Sequence, residues 1–147
     1  MTSWQEFAQA EPSFAERVRG LFDAHRHKTL ATVRADGSPR ISGIECVFED
    51  GELVFGSMSG ARKGADLVRD PRFALHSATV DPVSGDEASW PGEAKISGRA
   101  RASSGPDGDR FHAEIASVVH THLDPEATVL VVEWWTPSGG LQQVSRA

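Results

Sequence analysis

The segment GSMSGARKGADLVRDP, residues 56–71, combines small residues, two adjacent cations and a predicted helix that ends at a proline. Ser57 and Ser59 carry hydroxyl groups, and Arg62 offers a planar fork that suits phosphate oxygens. Lys63 adds a second positive charge, and a helix N-terminus itself attracts anions through its unpaired amide groups. The segment therefore has the groups needed to bind a phosphate.

A surface helix explains the same residues without a ligand. In that interpretation Arg62 pairs with Asp66 four residues later, an interaction worth at most ~0.2–0.5 kcal/mol. The segment is not a P-loop, because the pattern G-x-x-x-x-G-K-[ST] is absent. Residue types and spacing alone leave both interpretations open.

Two histidines are spaced for one face of a strand. His120 and His122 are two residues apart, and such a pair is able to hold a metal. A zinc site needs at least a third ligand, which only His76, His112 or a distant carboxylate would supply. We therefore interpret the pair as part of a polar, outward face and predict no metal site.

Composition narrows the class of protein. The chain has 147 residues, 39% of them hydrophobic, which suits one domain over residues 1–147 with its own core. A formal net charge of −6 argues against nucleic acid or membrane partners. Cys46 is the one cysteine and more typical of a buried small apolar residue than of a reactive thiol. With no signal-peptide pattern and no apolar run near ~18 residues, we expect a cytoplasmic protein.

The sequence predicts two helices at the N-terminus, within residues 1–26. Ser3 with Glu6, and Ser13 with Glu16, predict capping boxes at two helix starts. Beyond His27 the hydrophobic period changes to two. Residues 29–58 then predict three strands, with turns at the Asp-Gly pairs 36–37 and 50–51.

The remaining chain predicts one helix and further strands. The helix runs from about residue 61 to 70 and ends before Pro71. Residues 110–123 are ambiguous, and we predict two strands whose inward row is Phe111, Ala113, Ile115, Val119, Thr121 and Leu123. About eight strands in a small antiparallel domain favour a closed or nearly closed barrel, with a sandwich as the alternative.

Three motifs together resemble the pyridoxamine-phosphate-oxidase-like, FMN-binding split barrels. The first is Gly56-Ser57-Met58, followed by Ala61-Arg62-Lys63 and Asp70-Pro71; the others are LATVRADGSPRISGIECVFEDGELVF and VEWWTPSGGL. Their order and spacing extend the resemblance over residues 14–146. It implies a mainly β protein, an antiparallel split β-barrel with a few peripheral helices, in which residues 1–26 pack on the barrel.

The resemblance also implies which residues hold a cofactor. Ser57, Arg62 and Lys63 correspond to the family positions that hold the flavin phosphate. We add Ser59 on its chemistry alone. The deazaflavin coenzyme F-420 presents a phosphate to the same loop, so these residues do not distinguish it from FMN.

Further positions correspond to those near the flavin ring. Residues 42–46, which include Ile44 and Glu45, would line the ring system. Trp135 matches the family tryptophan near the cofactor, whereas Trp134 is more typical of core or dimer packing. Glu45, the one carboxylate among residues 42–46, is more typical of a solvent-facing strand residue. In this family the site lies between the two subunits of a homodimer.

The departures from the family pattern concern the substrate. Leu141 and Gln143 stand where the true oxidase has an Arg and a His that grip pyridoxal phosphate. Cys46 and Ile41 replace two basic residues of the second strand. We therefore expect an FMN- or F-420-dependent oxidoreductase acting on another small molecule, with no catalytic residue assigned. A non-catalytic cofactor-binding protein and a barrel without cofactor are the alternatives.

Overall fold

The chain folds into three α-helices and nine strands over residues 2–105 and 108–147, which the computed structural model describes. The helices are α1 (Trp4–Ala10), α2 (Pro12–Asp23) and α3 (Arg62–Arg69). The strands are β1 (Lys28–Val33), β2 (Pro39–Ile44), β3 (Cys46–Glu49), β4 (Glu52–Ser57), β5 (Arg72–His76), β6 (Glu93–Gly105), β7 (Gly108–Leu123), β8 (Leu130–Thr136) and β9 (Gly140–Arg146). None of the described helices combines the length and the apolar character that crossing a membrane requires.

The sheet closes on itself at Glu45. Its strands follow the order β2-β1-β5-β6-β7-β4-β3, and every neighbouring pair is antiparallel. The two ends of this order, β2 and β3, are consecutive in the chain with only Glu45 between them. β8 and β9 extend the sheet from the C-terminal half of β7. This confirms the predicted antiparallel split β-barrel with few helices, in place of the sandwich.

Aromatic side chains of the N-terminal helices form part of the core. Trp4 packs against Phe48 with ring centroids 4.5 Å apart, and Phe7 packs against Trp135 at 4.8 Å. Phe14, Val18 and Phe22 of α2 are also fully buried. Burial of each such side chain contributes about 1.5–3 kcal/mol, so both helices are part of the core.

The two N-terminal helices begin differently. The predicted capping box of α1 is confirmed, with Ser3 and Glu6 bonding each other's backbone amides at 3.1 Å. The box predicted at Ser13 and Glu16 is wrong, because α2 already begins at Pro12. Proline suits a first helical position, since its φ is preset and it has no amide hydrogen to satisfy.

The two predicted hairpin turns are present, but the number of strands predicted around them is wrong. Asp50 and Gly51 both have positive φ (51° and 76°), as a two-residue hairpin turn requires, and Gly37 has φ 87°. The segment predicted as three strands contains four, because the middle one breaks at Glu45 into β2 and β3.

Strand β7 carries a bulge that reverses its alternation. It is one strand of 16 residues, where the sequence indicated two. Its register with β6 shifts at Gly98, which leaves Ala116 of β7 as the extra residue. A Cβ on residue 98 would lie 1.9 Å from the Glu114 carbonyl oxygen, so only glycine fits there. The buried row is therefore Phe111, Ala113 and Ile115 before the bulge, and Val118 and His120 after it.

Candidate functional site

Helix α3 begins without a side-chain cap beside Ser57. The residue before it, Ala61, is extended and has no side chain able to accept from the first-turn amides. Gly64 lies so close to the end of β4 that a Cβ there would be 2.6 Å from Ser57 Oγ. The buried Ser57 hydroxyl and the amide groups of the helix start thus face one small region, as anion binding requires.

The two cations at this helix end remain available. Among the described residues, no carboxylate lies within ion-pair distance of Arg62 or Lys63. The Lys63 Nζ donates to the Gly43 carbonyl at 3.3 Å, which brings β2 next to the segment. The pairing of Arg62 with Asp66, the alternative interpretation of this helix, is wrong.

Asp66 instead joins α3 to the barrel. Its carboxylate accepts from Arg40 at 2.7 Å, from Thr32 at 2.8 Å and from Arg69 at 2.9 Å. Burial alone would raise the Asp66 pKa, but these hydrogen bonds outweigh it and hold the pKa at about 2. Asp66 is therefore ionised and fully engaged, so it has no role in neutralising Arg62.

One acidic group also reaches this helix end. The Asp109 Oδ2 would lie 3.0 Å from a Cβ on Gly64. Asp109 pairs with Ser57 across β4 and β7. A negative charge here complements the helix dipole, and it opposes a bound phosphate. The uncapped amides, the Ser57 hydroxyl and the two cations fit a phosphate, whereas Asp109 does not.

The residues expected at the flavin ring are partly assembled. Ile44 is 5% exposed and belongs to the core, so its side chain is not available to a flavin ring within this chain. Glu45 is exposed and lies 3.9 Å from Arg26 and 3.8 Å from His27. An open pocket of about 300 Å³ adjoins this strand break, lined by Glu45, Cys46, Val47, Val54, Phe55, Gly56 and Arg110.

Trp135 lies apart from the phosphate-binding candidates within one chain. It is 5% exposed, packs on Phe7 and pairs with Val118. Ser57 pairs with Asp109 near the opposite end of β7. Core packing accounts for Trp135 in this structure, while Trp134 is half-buried. A contact of Trp135 with a cofactor stays a prediction.

Cys46 is half-buried on β3. Burial raises the pKa of its thiol to about 11, and the nearby Lys28 only partly opposes this. The thiol is therefore protonated at neutral pH, in line with its interpretation as a small apolar residue.

The interpretation of His120 as outward-facing is wrong, because the bulge reverses the strand face. His120 is buried, stacks on His122 with ring centroids 4.5 Å apart, and faces Glu133 of β8. Burial, reinforced by His122 and Arg17, lowers the pKa of His120 to about 4, so its imidazole is neutral at pH 7.

Sequence reasoning missed Glu133, although a signal was present. The hairpin turn between Leu123 and Leu130 sets a register in which His120 stands opposite Glu133. Placing that turn would have identified the distant carboxylate. The other two histidines considered as ligands lie elsewhere, His76 beside Glu93 and His112 beside Glu52.

Comparisons with known proteins agree with this geometry. A family model described as pyridoxamine 5'-phosphate oxidase matches residues 14–139. The pyridoxine/pyridoxamine 5'-phosphate oxidase of Burkholderia multivorans is 30% identical in a 128-residue alignment that covers 84% of this chain and 56% of that protein. The chain thus spans little more than half the length of this curated relative.

Solved structures share the fold. A pyridoxamine 5'-phosphate oxidase-related, FMN binding protein from Nostoc punctiforme superposes with a TM-score of 0.65 at 10% identity, over 97% of this chain and 99% of that chain. PhzG from Burkholderia lata, in complex with tetrahydrophenazine-1-carboxylic acid, gives a TM-score of 0.69 at 13% identity, over 92% of each chain. Because the family model covers most of the sequence, the chain belongs to the pyridoxamine 5'-phosphate oxidase family.

Proposed function

We propose that this protein binds FMN by its phosphate at the start of α3 and exchanges a hydride with a small-molecule substrate. The observation that carries the proposal is the uncapped helix N-terminus beside Ser57, with Arg62 and Lys63 at its edge. FMN binding in the Nostoc punctiforme relative supports the choice of cofactor. Ser59, exposed in the preceding turn, is a further hydroxyl donor.

The protein's part in such chemistry is to bind and orient. A bound flavin supplies the hydride acceptor or donor itself, so no catalytic side chain is required. Arg62 and Lys63 would hold the phosphate, and Lys63 Nζ also donates to the Gly43 carbonyl of β2. The open pocket beside the strand break at Glu45 would receive the flavin ring.

The proposed substrate is not pyridoxamine 5'-phosphate. Leu141 and Gln143, the residues at the two family positions that grip the substrate phosphate, lie on β9 and carry no charge. Leu141 is 37% exposed opposite Trp135. A substrate that has no phosphate to be held there suits these residues better.

The proposed assembly is a homodimer with the cofactor between its subunits. Three large apolar side chains near the proposed site are exposed: Ile41 by 75%, Val47 by 46% and Met58 by 82%. Contact with a second copy of the chain would remove this exposed apolar surface from water. Sedimentation of Ile41→Asp against the wild type tests this, with a shift to monomer as the expected result.

The decisive experiment compares three ligands on the purified protein. FMN, riboflavin and coenzyme F-420 are each titrated while the cofactor fluorescence is followed. FMN is expected to bind at least tenfold more tightly than riboflavin, which lacks the phosphate. If F-420 binds more tightly than FMN, F-420 is the cofactor and the assignment of FMN is wrong. Binding of none would overturn the proposal, and binding without turnover of any electron acceptor would leave a cofactor-binding protein.

A further inference from the structure

A second polar cluster lies between α2 and the hairpin of β7 and β8. It contains His120 and His122 of β7, Glu133 of β8 and Arg17 of α2. His120 and Glu133 stand directly opposite each other across the two strands. One nitrogen of each imidazole and one Glu133 oxygen all lie within 4.8 Å of one another.

The hydrogen bonds of His122 leave a lone pair facing this cluster. Its Nδ1 lies 3.0 Å from the Leu123 carbonyl oxygen, which only accepts, so Nδ1 carries the hydrogen. Its Nε2 lies 2.8 Å from Glu133 Oε2, which is also an acceptor. A neutral imidazole cannot donate at both nitrogens. A proton or a metal ion between Nε2 and the carboxylate resolves the conflict.

His120 presents a second lone pair to the same region. Its Nδ1 lies 3.2 Å from Arg17 Nη1, a group that only donates. The same Arg17 nitrogen donates to Glu133 Oε2 at 2.7 Å. A cationic nitrogen therefore already lies between the imidazole and the carboxylate, where a metal ion would bind.

We propose that His120, His122 and Glu133 bind one divalent transition-metal ion of the zinc type in place of the Arg17 guanidinium. Imidazole nitrogen and carboxylate oxygen are preferred zinc ligands, and three of them leave a fourth position for water. The Leu123 carbonyl orients His122 from behind. The Arg17 side chain is 43% exposed, so it is free to turn into solvent when a metal replaces it.

This site is independent of the proposed cofactor site. Asp109 of β7 pairs with Ser57, whereas His120, eleven residues further along β7, pairs with Glu133. At ~3.3 Å per residue this is about 35 Å of strand. Loss of metal binding and loss of FMN binding are therefore separable.

The test is a titration of the intact protein with zinc chloride against a chromophoric chelator, and with cobalt chloride followed by visible absorption. One ion per chain is expected. His122→Gln is expected to weaken binding by at least tenfold, because a ligand is lost. Arg17→Met is expected to strengthen it severalfold, because the competing cation is removed and the apolar stem is kept.

His27→Gln is the matched control. His27 lies 3.8 Å from Glu45 in an exposed pair, the alternative place for an adventitious ion. The zinc affinity of His27→Gln is expected to equal that of the wild type. Circular dichroism checks that every variant is folded. No binding by either the wild type or Arg17→Met would overturn the proposal. Equal affinities of His122→Gln and the wild type would do the same.

Discussion

Arg40 Nε donates a 2.7 Å hydrogen bond to Asp66 Oδ2 and so joins strand β2 to helix α3. Asp66 is 3% exposed, and its carboxylate also accepts from Thr32 and Arg69. The contact fixes the helix whose start forms the proposed phosphate site. It also removes Asp66 from Arg62, which leaves that cation available for a ligand.

Replacing Asp66 with alanine is expected to destabilise the protein. The variant leaves Arg40 and Thr32 without their buried acceptor, which typically costs about 1–3 kcal/mol of unfolding free energy. Urea denaturation followed by circular dichroism measures the change. Asp23→Ala is the control, because the pair that Asp23 forms with Arg19 is exposed to solvent. Equal losses in the two variants would contradict the role given to Asp66.

Asp66 also predicts a particular acid dependence. Its pKa lies at about 2 in the folded protein, below the ordinary 3.8, so folding favours the ionised form. The stability that Asp66 contributes is present above pH 3.8 and is lost as the pH falls towards 2. Between these values the unfolding free energy of Asp66→Asn is expected to fall less steeply than that of the wild type. Parallel curves from pH 5 to 2 would argue against this assignment.

The double variant Arg62→Ala/Lys63→Ala tests the phosphate site directly. Each lost charge-assisted hydrogen bond is worth roughly 1.5–3 kcal/mol, so FMN affinity is expected to fall at least tenfold. The melting temperature is expected to stay nearly unchanged, since neither side chain forms an ion pair among the described residues. Arg34→Ala is the control for a general loss of positive charge, because Arg34 is an exposed residue that follows β1. Unaltered affinity in the double variant would exclude this segment.

Asp109→Asn is expected to strengthen FMN binding. The Asp109 carboxylate lies at the start of α3 and opposes a phosphate there. Removal of this single charge at a partly exposed position is expected to raise the affinity roughly two- to tenfold. Riboflavin, which lacks the phosphate, serves as the comparison ligand. A rise in the affinity of both ligands would show that the charge acts elsewhere.

Two glycine variants in helices separate helix propensity from close packing. Alanine at position 20 meets nothing within 4 Å, so Gly20→Ala is expected to stabilise the protein by about 0.5–1 kcal/mol. Alanine at position 64 would meet Ser57 Oγ at 2.6 Å. Gly64→Ala is therefore expected to give no such stabilisation, because the added methyl group displaces Ser57, and it is expected to weaken FMN binding. Thermal unfolding and FMN titration measure the two effects.

Local chemistry in the sequence was enough to predict much of the barrel. Asp-Gly pairs specified both hairpin turns, and Pro71 specified the end of α3, because these residues restrict their own backbone. The motif around Arg62 and Lys63 indicated the family, which the match over residues 14–139 shows. These features depend on residues close together in the chain.

The sequence by itself determined the antiparallel β character, the two Asp-Gly turns and the presence of two cations at a helix start. Only the tertiary structure decided which partners they have. Asp66 bonds Arg40 of a distant strand instead of Arg62. Its carboxylate is buried there and accepts hydrogen bonds from both Arg40 and Thr32, whereas Arg62 on the helix surface would supply a single exposed ion pair. One extra residue opposite Gly98 turns His120 to the buried face of β7, since a shift of one residue exchanges the two faces of a strand, and the β7–β8 register sets Glu133 opposite it.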